Sequence, residues 1–283
     1  MSATGILLAV VAPLVQAVGE YERWHLSFDA KVDGERVIEN YPQYEKLFFC
    51  GKWLARQYGQ PLAGWDVRFT DAAGKEVRQA PNWSAFYTSV LSARMRRHDD
   101  AFTVPPGAVR ATVTFCEPNA GDRLVVENVS LARVESPATL NVNPDFAFGP
   151  RGFAGWSAGS NRRIEPDPDR PGGFRLVIGG NGAGGSVRSD WIPVRPGDTV
   201  RFAYRMRASV AGRGGRALVM RYRSTDQRDD CPDGTFATAF FLGRAWDEGA
   251  HDFVVPPETT VLRLYAENAT ISYARFTRVA QGE

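Results

Sequence analysis

An all-β fold, built as two tandem antiparallel β-sandwiches, is what this sequence predicts, and three observations carry the expectation. Apolar and polar residues alternate along Trp24 to Ala30, Val109 to Phe115, Phe202 to Arg207 and Leu218 to Tyr222. Period-two patterning marks strands with one buried and one solvated face. Turn-forming clusters separate the runs: Asp71-Ala72-Ala73-Gly74, Pro105-Pro106-Gly107, Arg195-Pro196-Gly197-Asp198 and Gly212-Arg213-Gly214-Gly215. The third observation is that the chain repeats itself. No long amphipathic helix stands out, and Lys46 to Tyr58 is the only ambiguous stretch.

The repeat sets the domain organisation. Phe102-Thr103-Val104-Pro105-Pro106 returns as Phe253-Val254-Val255-Pro256-Pro257, with His98-Asp99 and His251-Asp252 ahead of the two copies. Gly19-Glu20 followed by Trp24, Leu26 and Phe28 aligns with Gly197-Asp198 followed by Phe202, Tyr204 and Met206. Arg68-Phe69 corresponds to Arg221-Tyr222, Phe86-Tyr87 to Phe240-Phe241, and Arg133-Val134 to Arg278-Val279. The order is preserved, which places one sandwich at 1–137 and the other at 138–283. An aromatic insert at 32–65 belongs to the first alone. The first also lacks the opening section, Asn143 to Trp156, of the second. It begins at what is an interior strand in the second, so Met1 marks a fragment start or an edge strand has been lost. An exposed strand edge is expected there unless the insert or the second sandwich covers it.

Length and composition agree with two ordinary domains. The chain has 283 residues, 43% of them hydrophobic and 23% charged, with 28 Gly and 18 Pro. A net charge of +2 and the lack of a recognised motif argue against nucleic acid as partner. The apolar run Ile6 to Val18 is too short to cross a membrane as a helix and is broken by Pro13 and Gln16. It lacks the basic residues of a signal peptide and reads as a strand. Cys50, Cys116 and Cys231 form no zinc spacing. An odd count permits one bridge at most. Cys50–Cys116 is one option, and free buried thiols are the preferred one.

Several stretches form a recognisable series. Asn143-Pro144-Asp145-Phe146 is followed by Gly155-Trp156, then by Val194-Arg195-Pro196-Gly197-Asp198 ahead of a strand. Phe253 to Pro257 and a closing strand complete it. This series resembles the jelly-roll carbohydrate-binding modules of families 4, 9 and 22, and galactose-binding-like domains generally. The first half is similar from the strand before Gly19 to Val125–Leu131. The resemblance implies a jelly-roll sandwich that binds polysaccharide without cleaving it. It also implies a partner, a catalytic domain or carbohydrate-active enzyme, and a secreted or cell-surface location whose signal is not present in this chain. Many relatives hold a structural calcium, ligated by an acid in the opening motif and an acid in the closing strand. Here Asp145 is present, but Ser272-Tyr273 stands where the closing acid belongs, and the first half has Glu127 without the opening motif. The set is incomplete in both halves.

No catalytic pattern of the HExxH, GxSxG or Walker type is present, so no enzyme is expected. The His98-Asp99 and His251-Asp252 pairs recur at one place in both halves and read as structural turns. The loop Asp226 to Asp233 reads as a solvated turn. The more pointed signal is charge. With Phe202, Tyr204, Met206, Leu218, Met220, Tyr222, Leu262 and Leu264 facing the core, Arg201, Arg205, Arg207, Arg221, Arg223 and Arg263 fall together on the opposite face. Arginine binds carboxylate and sulfate through two bonds at once, so such a face suits a uronic-acid or sulfated polysaccharide. The first half has a thinner version that includes Arg68 and His25. Aromatics that could stack on sugar are Trp53, Tyr41 and Tyr44 in the insert, with Trp83, Phe236 and Trp246 elsewhere. The competing readings are a solvated face paired with local acids, a purely structural pair of sandwiches, and a jelly-roll polysaccharide lyase. The lyase would need His25 beside Arg23 and Arg68 in one cleft.

Overall fold

A computed structural model describes residues 13–33, 64–77, 94–116, 123–134, 139–147, 155–157, 161–180, 183–189, 191–210, 214–223 and 235–279. Every element in them is a strand, and all pairings are antiparallel. The first sandwich contains β1 (Leu14–Ala17), β2 (Arg23–Asp33), β3 (Gly64–Thr70), β4 (Glu76–Val77), β5 (Arg96–Thr103), β6 (Arg110–Cys116) and β7 (Arg123–Arg133). Its sheets run β1-β6-β3-β4 and β5-β2-β7. The second contains β8 (Trp156–Ser157), β9 (Arg162–Pro166), β10 (Phe174–Ile178), β11 (Ser186–Ser189), β12 (Ile192–Pro193) and β13 (Thr199–Ala208). It continues with β14 (Gly215–Arg223), β15 (Thr235–Leu242), β16 (Asp247–Val254), β17 (Thr259–Glu267) and β18 (Ala269–Val279). A five-stranded sheet, β16-β13-β18-β10-β9, faces a six-stranded one, β15-β14-β17-β11-β8, with β12 also on β17. The ambiguous stretch Lys46 to Tyr58 lies outside the described residues.

The halves share one pairing plan. In the first, Tyr21 N–H donates to the Val104 carbonyl at 2.9 Å and Val104 N–H to that of Glu22 at 2.8 Å. In the second, Gly197 N–H donates to Val255 at 2.9 Å and Val255 N–H to Asp198 at 2.8 Å. Trp24 pairs with Arg133 as Val200 pairs with Arg278. Tyr21 therefore stands where Gly197 stands, and both have positive φ, 63° and 86°. The alignment read from the sequence is offset by two residues along this strand: Leu26 matches Phe202, and Phe28 matches Tyr204. A slip of two keeps every side chain on its own face, so these core assignments hold despite it.

Two apolar cores result. Phe202, Tyr204, Phe240 and Phe276 stack in the second, with the Phe202 and Phe276 centroids 4.5 Å apart. Leu26, Phe28, Trp65, Phe69 and Phe102 fill the first, where the Trp65 indole N–H donates to buried Asp100 at 3.1 Å. β14 corrects the sequence reading. Its inward residues are Ala217 and Val219, while Leu218 and Met220 point outward. With Val261 and Trp191 they join the hydrophobic cluster of the first sandwich. The part of the outer face that carries Leu218, Met220 and Val261 is thus buried in the joint between the sandwiches. Polar contacts rim the joint. Tyr21 donates its hydroxyl to Asp198 at 2.9 Å, Arg278 Nε lies 3.0 Å from the same carboxylate, and Arg195 pairs with Glu20. Burial, reinforced by Asp198, raises the Tyr21 phenol well above its ordinary value.

The segment 139–147 ties the halves together. The Asn141 amide donates to the Ala274 carbonyl at 2.8 Å and accepts from Phe276 N–H at 2.9 Å, extending the β18 ladder with a side chain. Phe146 enters the core against Trp156, whose indole N–H donates to the Asn143 carbonyl at 3.0 Å. Gly155 has φ 81°, and a Cβ there would meet the Val142 carbonyl oxygen at 2.3 Å. Gly155→Ala is expected to destabilise the fold by at least about 1 kcal/mol, as read from urea unfolding; an unchanged midpoint would contradict the packing described.

Candidate functional site

The outer face of the five-stranded sheet is an open polar surface. Alternation along β13 turns Val200, Phe202, Tyr204 and Met206 inward and Arg201, Ala203, Arg205 and Arg207 outward. Ladder partners then meet these arginines with acids. Arg201 stands opposite Asp252 and holds it by two bonds, 2.7 and 2.8 Å. Arg205 stands opposite Glu248 at 3.6 Å and donates to Asp169 at 3.1 Å. Both Arg205 and Arg207 set their guanidinium carbons against the half-buried Trp246 ring, at 4.4 and 4.6 Å. The Trp246 indole N–H donates to Asp169 at 2.9 Å. Among the described residues no acid pairs with Arg207.

The surface continues across β18 to β9. Tyr273 donates its hydroxyl to Glu248 at 2.8 Å, and Arg275 lies 4.7 Å from the Tyr273 ring centroid. Burial and the bond to Glu248 both raise the Tyr273 phenol. Glu165 bridges Arg175 at 2.7 Å and Arg163 at 2.8 Å. Burial works against its charge, but the two arginines outweigh it and hold the carboxyl below the usual range.

A cleft of about 510 Å³ lies beside this surface, between the sandwiches. It is lined by Arg23, Ala101 and Val134 from the first half, by the segment from Thr139 to Ala147, and by Arg275 and Thr277 from β18. Arg23 donates to Thr139 Oγ1 and to the Asn141 carbonyl. Burial lowers its pKa, with Asp145 acting in the opposite sense.

Several sequence expectations are corrected. The six arginines do not share a face. Arg201, Arg205 and Arg207 are on the outer face of the five-stranded sheet. Arg221 stands opposite Leu262 in the other sheet, in the phase of Ala217 and Val219. Arg263 is buried in the joint, stacked 4.3 Å over Trp191 and donating to the Ser189 carbonyl at 2.9 Å. The cause is β14, where Ala217 to Met220 is buried on both faces and a period-two reading cannot fix its phase. Arg223 pairs through its backbone with Thr259, and Phe236 with Met220; their side chains lie outside the described set. Tyr41, Tyr44, Trp53, Trp83 and the loop Asp226 to Asp233 also lie outside it.

The grouping needed for a lyase is not assembled. His25 and Arg68 lie on the outer faces of opposite sheets, His25 3.2 Å from Asp99 and Arg68 3.6 Å from Asp66. The two His-Asp pairs belong to strands β5 and β16 rather than to turns. Neighbours in a strand face opposite ways, which separates each pair. His98 stacks on Phe28 at 5.0 Å while Asp99 faces His25. No three His, Cys, Asp or Glu side chains gather as a metal site among the described residues. Asp145 lies 3.6 Å from Arg275 instead, and Ser272 donates its hydroxyl to buried Asp167 at 2.5 Å. These residues do not fit the calcium set the resemblance implies.

No protein-family model matches the chain, and no curated protein matches it. Among solved structures it is similar to the N-terminal CBM22-1–CBM22-2 tandem domain from Paenibacillus barcinonensis Xyn10C. The identity is 13% and the TM-score 0.35, over 93% of this chain and 80% of that one. A CBM4 structure matches at 12% identity and TM-score 0.31, over 51% and 96%. The enzymatically active domain of bacteriophage CBA120 tailspike protein 4 matches at 12% and 0.39, over 50% of this chain and 22% of that one. At these identities and TM-scores the likenesses carry no argument about this chain.

Burial lowers the pKa of His98, the acids around it opposing only in part. Above about pH 6.5 the ring is neutral in both folded and unfolded chains. Below that the unfolded chain takes up the proton first, so stability falls as pH drops, until the folded ring protonates. His98→Phe is expected to flatten this acid limb in thermal melts between about pH 6.5 and 5; an unaltered limb would assign the effect elsewhere.

Proposed function

We propose that this chain is a non-catalytic glycan-binding protein and that the outer face of its five-stranded sheet is the binding surface. The observation that carries this is Trp246, held on an exposed sheet face among Arg205, Arg207, Asp169 and Glu248. Sugar hydroxyls both donate and accept. Guanidinium groups supply donors and carboxylates supply acceptors, while the apolar parts of Trp246 and Tyr273 offer surface to sugar C–H groups. Such donors, acceptors and ring faces suit a role of holding.

The pairing of Arg201 and Arg205 with acids bears on the ligand. An acidic polymer would meet Asp169, Asp252 and Glu248 along with the arginines. The nearly balanced face favours a neutral polysaccharide, with Arg207 the arginine of β13 that no described acid pairs. A secreted or cell-surface location and service to a catalytic partner fit this role. A second reading, a structural sandwich pair docking a partner protein, is favoured by Phe241, 83% exposed beside the buried Phe240 on β15, an edge strand.

Affinity electrophoresis against neutral and acidic polysaccharides separates these readings. Retardation by a neutral polymer that survives high salt is expected. Trp246→Ala and Arg207→Ala should each weaken it about tenfold or more, the loss of roughly 1.4 kcal/mol. Loss of retardation only with a loss of folded protein, or no retardation by any polymer, would favour the structural reading.

A further inference from the structure

Trp246 lies in the connection between β15 and β16, and a distant turn holds its ring. The indole N–H donates to Asp169 at 2.9 Å, and Arg205 donates to the same carboxylate oxygen at 3.1 Å. Asp169 belongs to the turn between β9 and β10, 77 residues away in sequence. That turn is tied down at both ends. Asp167, at its start, is buried and accepts the Ser272 hydroxyl of β18 at 2.5 Å. The other Asp167 carboxylate oxygen accepts from Asp169 N–H at 3.1 Å, and the Asp167 carbonyl from Arg170 N–H at 3.1 Å. Gly173 N–H donates to the Arg170 carbonyl at 2.8 Å, and Asp167 N–H to that of Gly173 at 2.9 Å, which closes the turn. The Arg170 side chain donates to the Phe174 carbonyl at 2.6 Å and to the Asp145 carbonyl at 2.8 Å. A ring bonded to so fixed a turn has few orientations left. A platform set before the ligand arrives loses less freedom on binding.

We propose that Asp169 is the positioning residue of the sheet-face site. One carboxylate oxygen fixes both the Trp246 ring and the Arg205 guanidinium in the free chain, so the two meet a sugar already placed. Arg205 and Arg207 lie 4.4 and 4.6 Å from that ring, so their placement follows from its own. The ligand rests on the glycan-binding reading above, whereas the clamp rests on bonds within the chain itself. The Asp169 side chain is half exposed, which spares the cores when it is removed.

Two readouts on the full chain test this. One is the Trp246 indole N–H resonance of the free protein, assigned by its loss in Trp246→Ala. The other is affinity electrophoresis in a neutral glucan, a xylan and a mannan. In Asp169→Ala the resonance is expected to shift and its proton to exchange faster with solvent. Retardation should weaken about tenfold or more, with the melting temperature unchanged. Asp169→Asn keeps an acceptor oxygen and should restore most of both. An unmoved resonance in Asp169→Ala overturns the proposal; if retardation still weakens, the carboxylate touches the sugar instead. A shifted resonance with wild-type retardation also overturns it, since ring placement would then not govern binding. Weaker retardation that comes only with a lower melting temperature assigns Asp169 to the fold and overturns it too. Trp246→Ala keeps the two readings apart. Loss of retardation there, with none in Asp169→Ala, sinks the positioning role alone. No retardation of the unaltered chain by any polymer sinks the sheet-face site, and the positioning role with it.

Discussion

Burial of both faces of the β14-β17 pair is the constraint on which the rest of the molecule depends. One face packs Ala217, Val219, Leu262 and Leu264 into the second core. The other offers Leu218, Met220 and Val261 to the first sandwich. The part of that outer face covered by Leu218, Met220 and Val261 is closed to a soluble ligand. The outer face of the opposite, five-stranded sheet stays open, and the cleft lies where the segment 139–147 bridges Thr103 and β18. Apolar burial drives such a joint without directing it. The contacts that cross it, Tyr21 to Asp198 and Arg195 to Glu20, supply direction.

Electrostatics then divides the surface. On the sheet, period-two alternation across the ladder sets Arg201 against Asp252 and Arg205 against Glu248, so charge cancels locally. In the cleft the charged lining among the described residues is Arg23, Arg275 and Asp145. The same residue type thus has three fates in one chain: paired on the open face, buried as a structural donor at Arg263, and turned toward a recess at Arg23 and Arg275.

Much of the fold was legible because a strand writes its two faces into the sequence. Core residues such as Phe28, Phe69, Phe202 and Tyr204 follow from alternation alone. β14 was misread for a physical reason: Ala217 to Met220 is apolar throughout because both faces are covered, and alternation carries no phase there. That error placed Arg221 and Arg263 with Arg205 and Arg207. Arg205, Arg207 and Trp246 were legible as candidates, but their acid partners were not, since Asp169 and Glu248 reach them across the sheet from distant sequence. Tyr273 and the pairing of Arg275 with Asp145 left no local signal. Asn143 and Phe146, at φ 49° and 60°, were visible only as a family motif. The motif here anchors itself in the second half, where Phe146 packs on Trp156 and the Asn143 carbonyl accepts from its indole N–H.

The two sandwiches are fused into one body through the outer residues of β14 and β17. Scanning calorimetry of the full chain tests it most directly. The account predicts one cooperative transition, with calorimetric and van't Hoff enthalpies that agree. It also predicts that Met220→Asp, which sets a charge in the joint, splits that transition in two. Two separate transitions in the unaltered chain would contradict the account, because the sandwiches would then unfold as independent domains.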